Sequence, residues 1–176
     1  MRPHKWFALF VVLFVVAAVA FPADAQQKRR FTFGYDQPHS TGYGFSADVF
    51  GKKIEELSKG MFVVDQFPAA QLGQEPIMLQ KVRSGDIDFV ISSTANGSTV
   101  SPQFGVMSIH YLFENDQHLI KAIASPELNA AVRQLVRETV QGAHVITLQT
   151  LGLRNLYGKR EIKKVEDLKG AKVRVQ

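Results

Sequence analysis

There is no cysteine among the 176 residues, which excludes a disulfide framework, a thiol nucleophile and any metal site built on thiolates. The histidines of the chain after its leader, His39, His110, His118 and His144, form no His-x-His or His-Glu-x-x-His arrangement, so no metal is expected. No Gly-x-Ser-x-Gly elbow, no third glycine after Gly42-Tyr-Gly44 and no Gly-Lys-Ser/Thr loop is present, so no hydrolase, dinucleotide or nucleotide signature exists and no cofactor is expected. Asp86 and Asp88 flank Ile87 and share a strand face, but two charges at a strand entry are ordinarily solvated. The chain reads as a non-enzyme. Charge of one sign is also short: Lys+Arg total 21 against Asp+Glu 16, a formal +5. The basic residues are scattered apart from Lys28-Arg29-Arg30 and a lysine-rich C-terminal segment. That is not the basic stripe with interleaved aromatics that nucleic acid requires. A composition of 45% hydrophobic and 21% charged residues excludes a disordered chain and a polytopic membrane protein.

One long apolar run is present. Arg2, His4 and Lys5 precede an uninterrupted apolar stretch from Trp6 to Phe21, and Ala23-Asp24-Ala25 is a small-x-small cleavage signal before Gln26. Residues 1–25 thus read as a cleavable signal peptide, their apolar stretch shorter than the ~20 residues that span a bilayer. A retained anchor would leave the remainder on the same side of the membrane. Export into the periplasm is the expectation. Without Arg2, Lys5 and Asp24 the exported part keeps 19 basic against 15 acidic residues.

The pattern after the leader predicts an α/β architecture with a mainly parallel sheet flanked by helices. Residues 31–36 alternate as a first strand and stop at a Pro-His-Ser-Thr-Gly loop. An amphipathic helix follows, its stripe assigned to Phe45, Val49, Ile54 and Leu57, with Gly60 as the stop. Residues 61–67 form a second strand, and a helix with Pro76 in its first turn ends before Gly85. Residues 87–91 are a nearly continuous apolar run, as expected of a buried parallel strand. Ser125-Pro126-Glu127 opens a helix whose core stripe is Leu128, Val132, Leu135, Val136 and Val140. Residues 107–113 read as strand or buried loop, 145–153 and 171–175 as strands, and 165–168 as a helical turn.

In open parallel sheets ligands bind beyond the carboxyl ends of the strands, where loops and helix starts present unpaired N–H groups. Polar, small-residue loops stand at two such places, residues 36–42 and 92–97. Two arginines also stand out. Arg154 ends a strand candidate, and Arg174 lies between Val173 and Val175, directed away from the face of its valine neighbours. A guanidinium facing a cleft holds a carboxylate through two parallel hydrogen bonds, whereas on an outer face it only meets water. Spacing alone leaves both readings open.

The ordered set Glu55-Glu-Leu-Ser-Lys-Gly60, Phe67-Pro-Ala-Ala-Gln-Leu-Gly73, Val82-Arg-Ser-Gly-Asp-Ile-Asp-Phe89, Gly152-Leu-Arg154 and Val165-Glu-Asp-Leu-Lys-Gly-Ala-Lys-Val-Arg-Val175 resembles a known family. It is similar to the substrate-binding proteins of tripartite ATP-independent periplasmic (TRAP) transporters, of the C4-dicarboxylate-binding (DctP) type. The resemblance covers their N-terminal half. It implies a periplasmic-binding-protein-like first lobe over residues 26–150 and a crossover into an incomplete second lobe over residues 151–176, as in a fragment or truncated gene product. It also implies capture of a small organic anion, with a salt bridge from Arg174, a second contact from Arg154, and ligand-facing positions at Ser93, Thr94 and His39. The implied partners are the membrane subunits of the transporter. Sialic-acid-binding members carry glutamate where Ser93 aligns, which argues against that ligand. His110 stands where family members often have proline. The rival readings are an ATP-driven (ABC-type) receptor or sensor ectodomain of the same plan, an exported α/β enzyme, and a non-functional remnant.

Overall fold

The computed structural model describes residues 27–153 and 157–173. The expected signal peptide, Arg154 and Arg174 lie outside the described residues. Among the described residues three parallel strands form the sheet: β1 (Arg29–Gly34), β2 (Phe62–Phe67) and β3 (Phe89–Val90), in the order β2-β1-β3. Helix α1 (Gly42–Leu57) connects β1 to β2, and α2 (Glu75–Ser84) carries the chain back across β1 to β3. The connection reverses direction across β1, so the crevice beyond the carboxyl ends of β1 and β3 is a topological switch point.

Register is continuous along β1 and β2, from Arg29 opposite Phe62 to Gly34 opposite Phe67. On the other edge Phe33 and Gly34 face Phe89 and Val90. The expected strand 87–91 is shorter because Asp88 binds β1 through its side chain. Its carboxylate accepts the Thr32 N–H at 2.8 Å and the Thr32 hydroxyl at 3.0 Å. Asp86 accepts the Ser84 hydroxyl at 2.6 Å just beyond α2. Both aspartates therefore shape the strand entry and do not form a pair.

The core is aromatic. Phe33, Tyr35, Tyr43 and Ala47 are buried, and Phe50, Val64, Phe89 and Ile91 pack against them. Phe50 meets Phe89 edge-on at 4.9 Å between ring centroids and Phe33 at 5.5 Å, a geometry that aromatic quadrupoles favour.

The stripe expected on α1 is corrected. Phe45 and Leu57 are 71% and 70% exposed, and Val49 is exposed as well. The inward stripe is instead Tyr43, Ala47 and Phe50, with Ile54 half-buried. Gly44 sets this rotation, since its missing side chain lets the helix start lie directly against the backbone of His39.

Helix α2 matches its expectation, with Pro76 in the first turn and Gly85 left-handed (φ 83) at its end. Within 92–97, expected as loop, a short helix α3 (Thr94–Gly97) forms and is followed by a 3-10 helix (Pro102–Ser108). The segment 107–113 forms no strand, and Tyr111 is 99% exposed. Helix α4 (Asp116–Ala124), which the pattern did not predict, is capped by Asn115, whose side chain accepts the His118 N–H at 2.9 Å. Helix α5 (Pro126–Thr139) has its Ser125 cap as expected and buries Val132 and Val136.

Residues 145–153 are irregular instead of a strand. Side chains of two helices meet part of their backbone: Arg133 donates to the Ile146 carbonyl at 2.7 Å, and Asp116 accepts the Leu153 N–H at 3.0 Å. The turn at Val165–Leu168 forms as a 3-10 turn, and residues 171–173 carry no strand. No helix among the described residues is long and apolar enough to cross a membrane.

Candidate functional site

The turn after β3 is held to the start of α2 by one buried carboxylate. Glu75, the first residue of α2, is 1% exposed. Its Oε2 accepts the Ser92 hydroxyl at 3.0 Å, the Ser93 N–H at 2.8 Å, the Ser93 hydroxyl at 3.0 Å and the Asn96 amide at 2.7 Å. The Tyr43 hydroxyl reaches Oε1 at 3.4 Å. One carboxylate thus fastens the whole turn after β3 to the start of α2. Placement at the N-terminus of α2 favours its negative charge through the helix dipole.

Burial acts to raise the Glu75 carboxyl, but the hydrogen bonds from Asn96, Ser93 and Ser92 outweigh it and hold the group below the usual carboxylate range. Asp36, two residues beyond β1, behaves oppositely. Burial first, then the Glu75 charge and the hydrogen bond its acid form makes with Glu75, push the Asp36 carboxyl up. Asp36 Oδ1 is buried and has no hydrogen-bond partner among the described residues. The two neighbouring carboxyls are thus shifted in opposite directions.

The expected site residues divide. Ser93 and Thr94 lie together in the Glu75-held turn, both half-buried. The Ser93 hydroxyl donates to Glu75 and accepts the Asn96 N–H at 3.2 Å, capping α3. Its single proton is therefore committed within the protein. Thr94 shares a hydrogen bond with Ser108 at 3.0 Å. His39 stands in the loop after β1, but its Nε2 meets Asp48 of α1 at 3.1 Å. Asp48 also accepts the Gln66 amide of β2 at 2.7 Å, which places the His39 ring toward the β2 side. Gln66 first and His39 second hold the Asp48 carboxyl below its ordinary value.

Glu75 had one sequence signal: an acidic residue directly before a first-turn proline, followed after β3 by a cluster of side-chain donors, Ser92, Ser93 and Asn96. Among the described residues no group of three or more His, Asp or Glu side chains is placed to hold a metal ion.

Residues 33–176 match DctP, the bacterial extracellular solute-binding protein, family 7. The chain belongs to this family. Members of family 7 bind solutes for transport and do not form an enzyme family. Among relatives, the uncharacterized protein YiiZ of Salmonella typhimurium is 32% identical over 126 residues, covering 71% of this chain and 38% of its own. The 2,3-diketo-L-gulonate-binding periplasmic protein YiaO of Escherichia coli K12 is 26% identical over 166 residues, 92% of this chain and 49% of its own. A crystal structure of a TRAP periplasmic solute binding protein from Haemophilus influenzae with bound L-gulonate superposes with a TM-score of 0.58 at 26% identity. It covers 64% of this chain and 36% of that one. The chain spans less than half the length of these family-7 relatives. The α/β fold with its parallel sheet and switch-point crevice is that of the family.

Proposed function

We propose that this chain contributes the first lobe of a periplasmic solute-binding protein that captures a small organic anion and delivers it to the membrane subunits of a TRAP transporter. The observation that carries the reading is the family-7 match, which extends over both strand-end loops that meet at the β1/β3 switch point. Support for the ligand class comes from relatives named for a sugar acid or solved with one bound. Support for export comes from the leader in residues 1–25 and from the periplasmic naming of YiaO. In this reading residues 26–150 form the lobe and 151–176 begin the crossing into a second.

Arg174 is the main partner of the ligand carboxylate, through a two-pronged guanidinium contact, and Arg154 is the second. Thr94 and His39 lie on the loops that border the ligand. Ser93, its hydroxyl donating to Glu75, acts through the shape of the turn and not as a donor to the anion. An ATP-driven receptor of similar plan has no support among these relatives.

Calorimetric titration of the chain with L-gulonate tests the reading. The variant Arg174→Ala is expected to lose about a hundredfold in affinity, the scale of truncating one partner of a buried charge pair. Unchanged affinity would remove the assigned mechanism.

A further inference from the structure

We propose that Asn96-Gly97 is a latent deamidation site in the turn after β3, that Glu75 holds it closed, and that its reaction releases the turn. The inference concerns the chemistry of the turn itself and does not depend on which solute the lobe binds.

Asn96-Gly97 is the only Asn-Gly pair in the sequence. The reaction needs no partner but water. The Gly97 backbone nitrogen attacks the Asn96 side-chain carbonyl carbon and a C–N bond forms. The side-chain nitrogen leaves as ammonia, taking the proton of the Gly97 N–H. Water then opens the cyclic imide at either carbonyl, giving aspartate or its β-linked isomer. Glycine in second place leaves the attacking nitrogen unshielded and the backbone free to turn.

The fold opposes that attack in three ways. Ring closure requires Asn96 to leave the helical backbone it adopts within α3. The Gly97 N–H, which must give up its proton, donates to the Ser93 carbonyl at 2.8 Å, and Gly97 is buried against the Phe104 ring. The leaving amide donates to Glu75 Oε2 at 2.7 Å. An ionised acceptor there feeds electron density into the amide and has no proton to offer the departing nitrogen. The Asn96 N–H also donates to Ser93 Oγ at 3.2 Å, and Ser93 is tied to the same Glu75 oxygen through its N–H and its hydroxyl. One carboxylate therefore pins both the reacting side chain and the start of its helix.

Reaction reverses this. A carboxylate at position 96 sets a second negative charge where the buried Oε2 now receives a donor. The β-linked isomer adds a carbon to the main chain and breaks the bond from Gly97 to Ser93. Either product frees the turn from α2, and neither reverts.

Peptide mass spectrometry of the chain incubated in mildly alkaline buffer, folded and in urea, tests the proposal. Acid at position 96 is expected in the unfolded chain, and at least about tenfold more slowly in the folded one, where the reaction waits on local opening. Glu75→Gln, shown to fold by circular dichroism, is expected to raise the folded rate about tenfold, since a neutral side chain gives up the charged hydrogen bonds. Asn96→Asp imitates the product and decides the coupling if Glu75→Gln does not fold. It is expected to melt below the native chain at neutral pH. That deficit should shrink as pH falls, because the new carboxyl, raised by the Glu75 charge, then regains a proton to donate. No acid at position 96 in the unfolded chain would remove the site. Equal rates in the folded and unfolded chain would overturn the protection, and an unchanged rate in folded Glu75→Gln would overturn the part given to Glu75. A native melt for Asn96→Asp would overturn the release of the turn.

Discussion

Glu75→Ala is expected to lower the stability of the chain by about 3 kcal/mol, because it strands buried donors that served one ionised group. For a chain of this size that corresponds to a melting temperature lower by roughly 10 °C. The Ser92 hydroxyl, the Ser93 N–H and hydroxyl, and the Asn96 amide all lose their acceptor together, so the turn after β3 loses its tie to α2. Affinity for an organic acid should fall in parallel, since the turn borders the crevice. The pH dependence should change in a defined sense. In the native protein the Glu75 carboxyl is held down, so its stabilisation is present above its unfolded value and fades as pH falls through the lower folded one. The Asp36 carboxyl is pushed up, so its contribution is present below its unfolded value and fades as pH rises through the higher folded one. Without Glu75, Asp36 keeps the effect of burial but loses the like charge and the partner for its acid form. The loss of stability on raising the pH from the ordinary carboxylate range toward neutrality should then shrink. Thermal melts of both proteins across that range measure it. An unchanged melt would mean that the turn holds itself without the carboxylate.

Gly44→Ala is expected to be still more damaging, although it adds only one methyl group. A Cβ at position 44 would overlap the carbonyl oxygen and carbon of His39, both backbone atoms that no side-chain rotation can clear. Either the loop after β1 or the start of α1 must move. Tyr43 and Ala47, neighbours on the same buried face, would be pulled from the aromatic core. A cost of about 3 kcal/mol or more is expected, at the upper end of what single substitutions do. Gly105→Ala is the control: nothing lies within 4 Å of a Cβ there, and the midpoint of urea unfolding should barely shift. Equal midpoints for the two variants would show that the approach of α1 to His39 is not tight.

The β-α-β-α-β order was legible because its signals are local: alternation at 31–36, a proline at the start of α2 and Gly85 after its end, and an apolar run reaching Phe89 and Val90. Ser125 before Pro126 gave α5 equally directly. The facing of α1 was not legible, because Phe45 and Val49 repeat as regularly as Tyr43 and Ala47. What separates the two faces is a backbone contact between Gly44 and His39, a tertiary fact that periodicity does not carry. Helix α4 escaped because its nine residues bury only Leu119, too little for a stripe to stand out. At the site, residue types pointed to the right loops but not to their wiring. Ser93 stands out as a small polar residue, while the glutamate that accepts its hydrogen bond lies 18 positions earlier. His39 was singled out for its loop, and its ring is occupied by Asp48.

In the proposed capture a carboxylate enters the crevice beyond β1 and β3 and is gripped there by Arg174. A crystal structure of the chain soaked with L-gulonate tests it most directly. The expected result is the ligand carboxylate on the Arg174 guanidinium, near the turn held by Glu75. An Arg174 side chain standing in bulk solvent, remote from residues 36–42 and 92–97, would contradict the account.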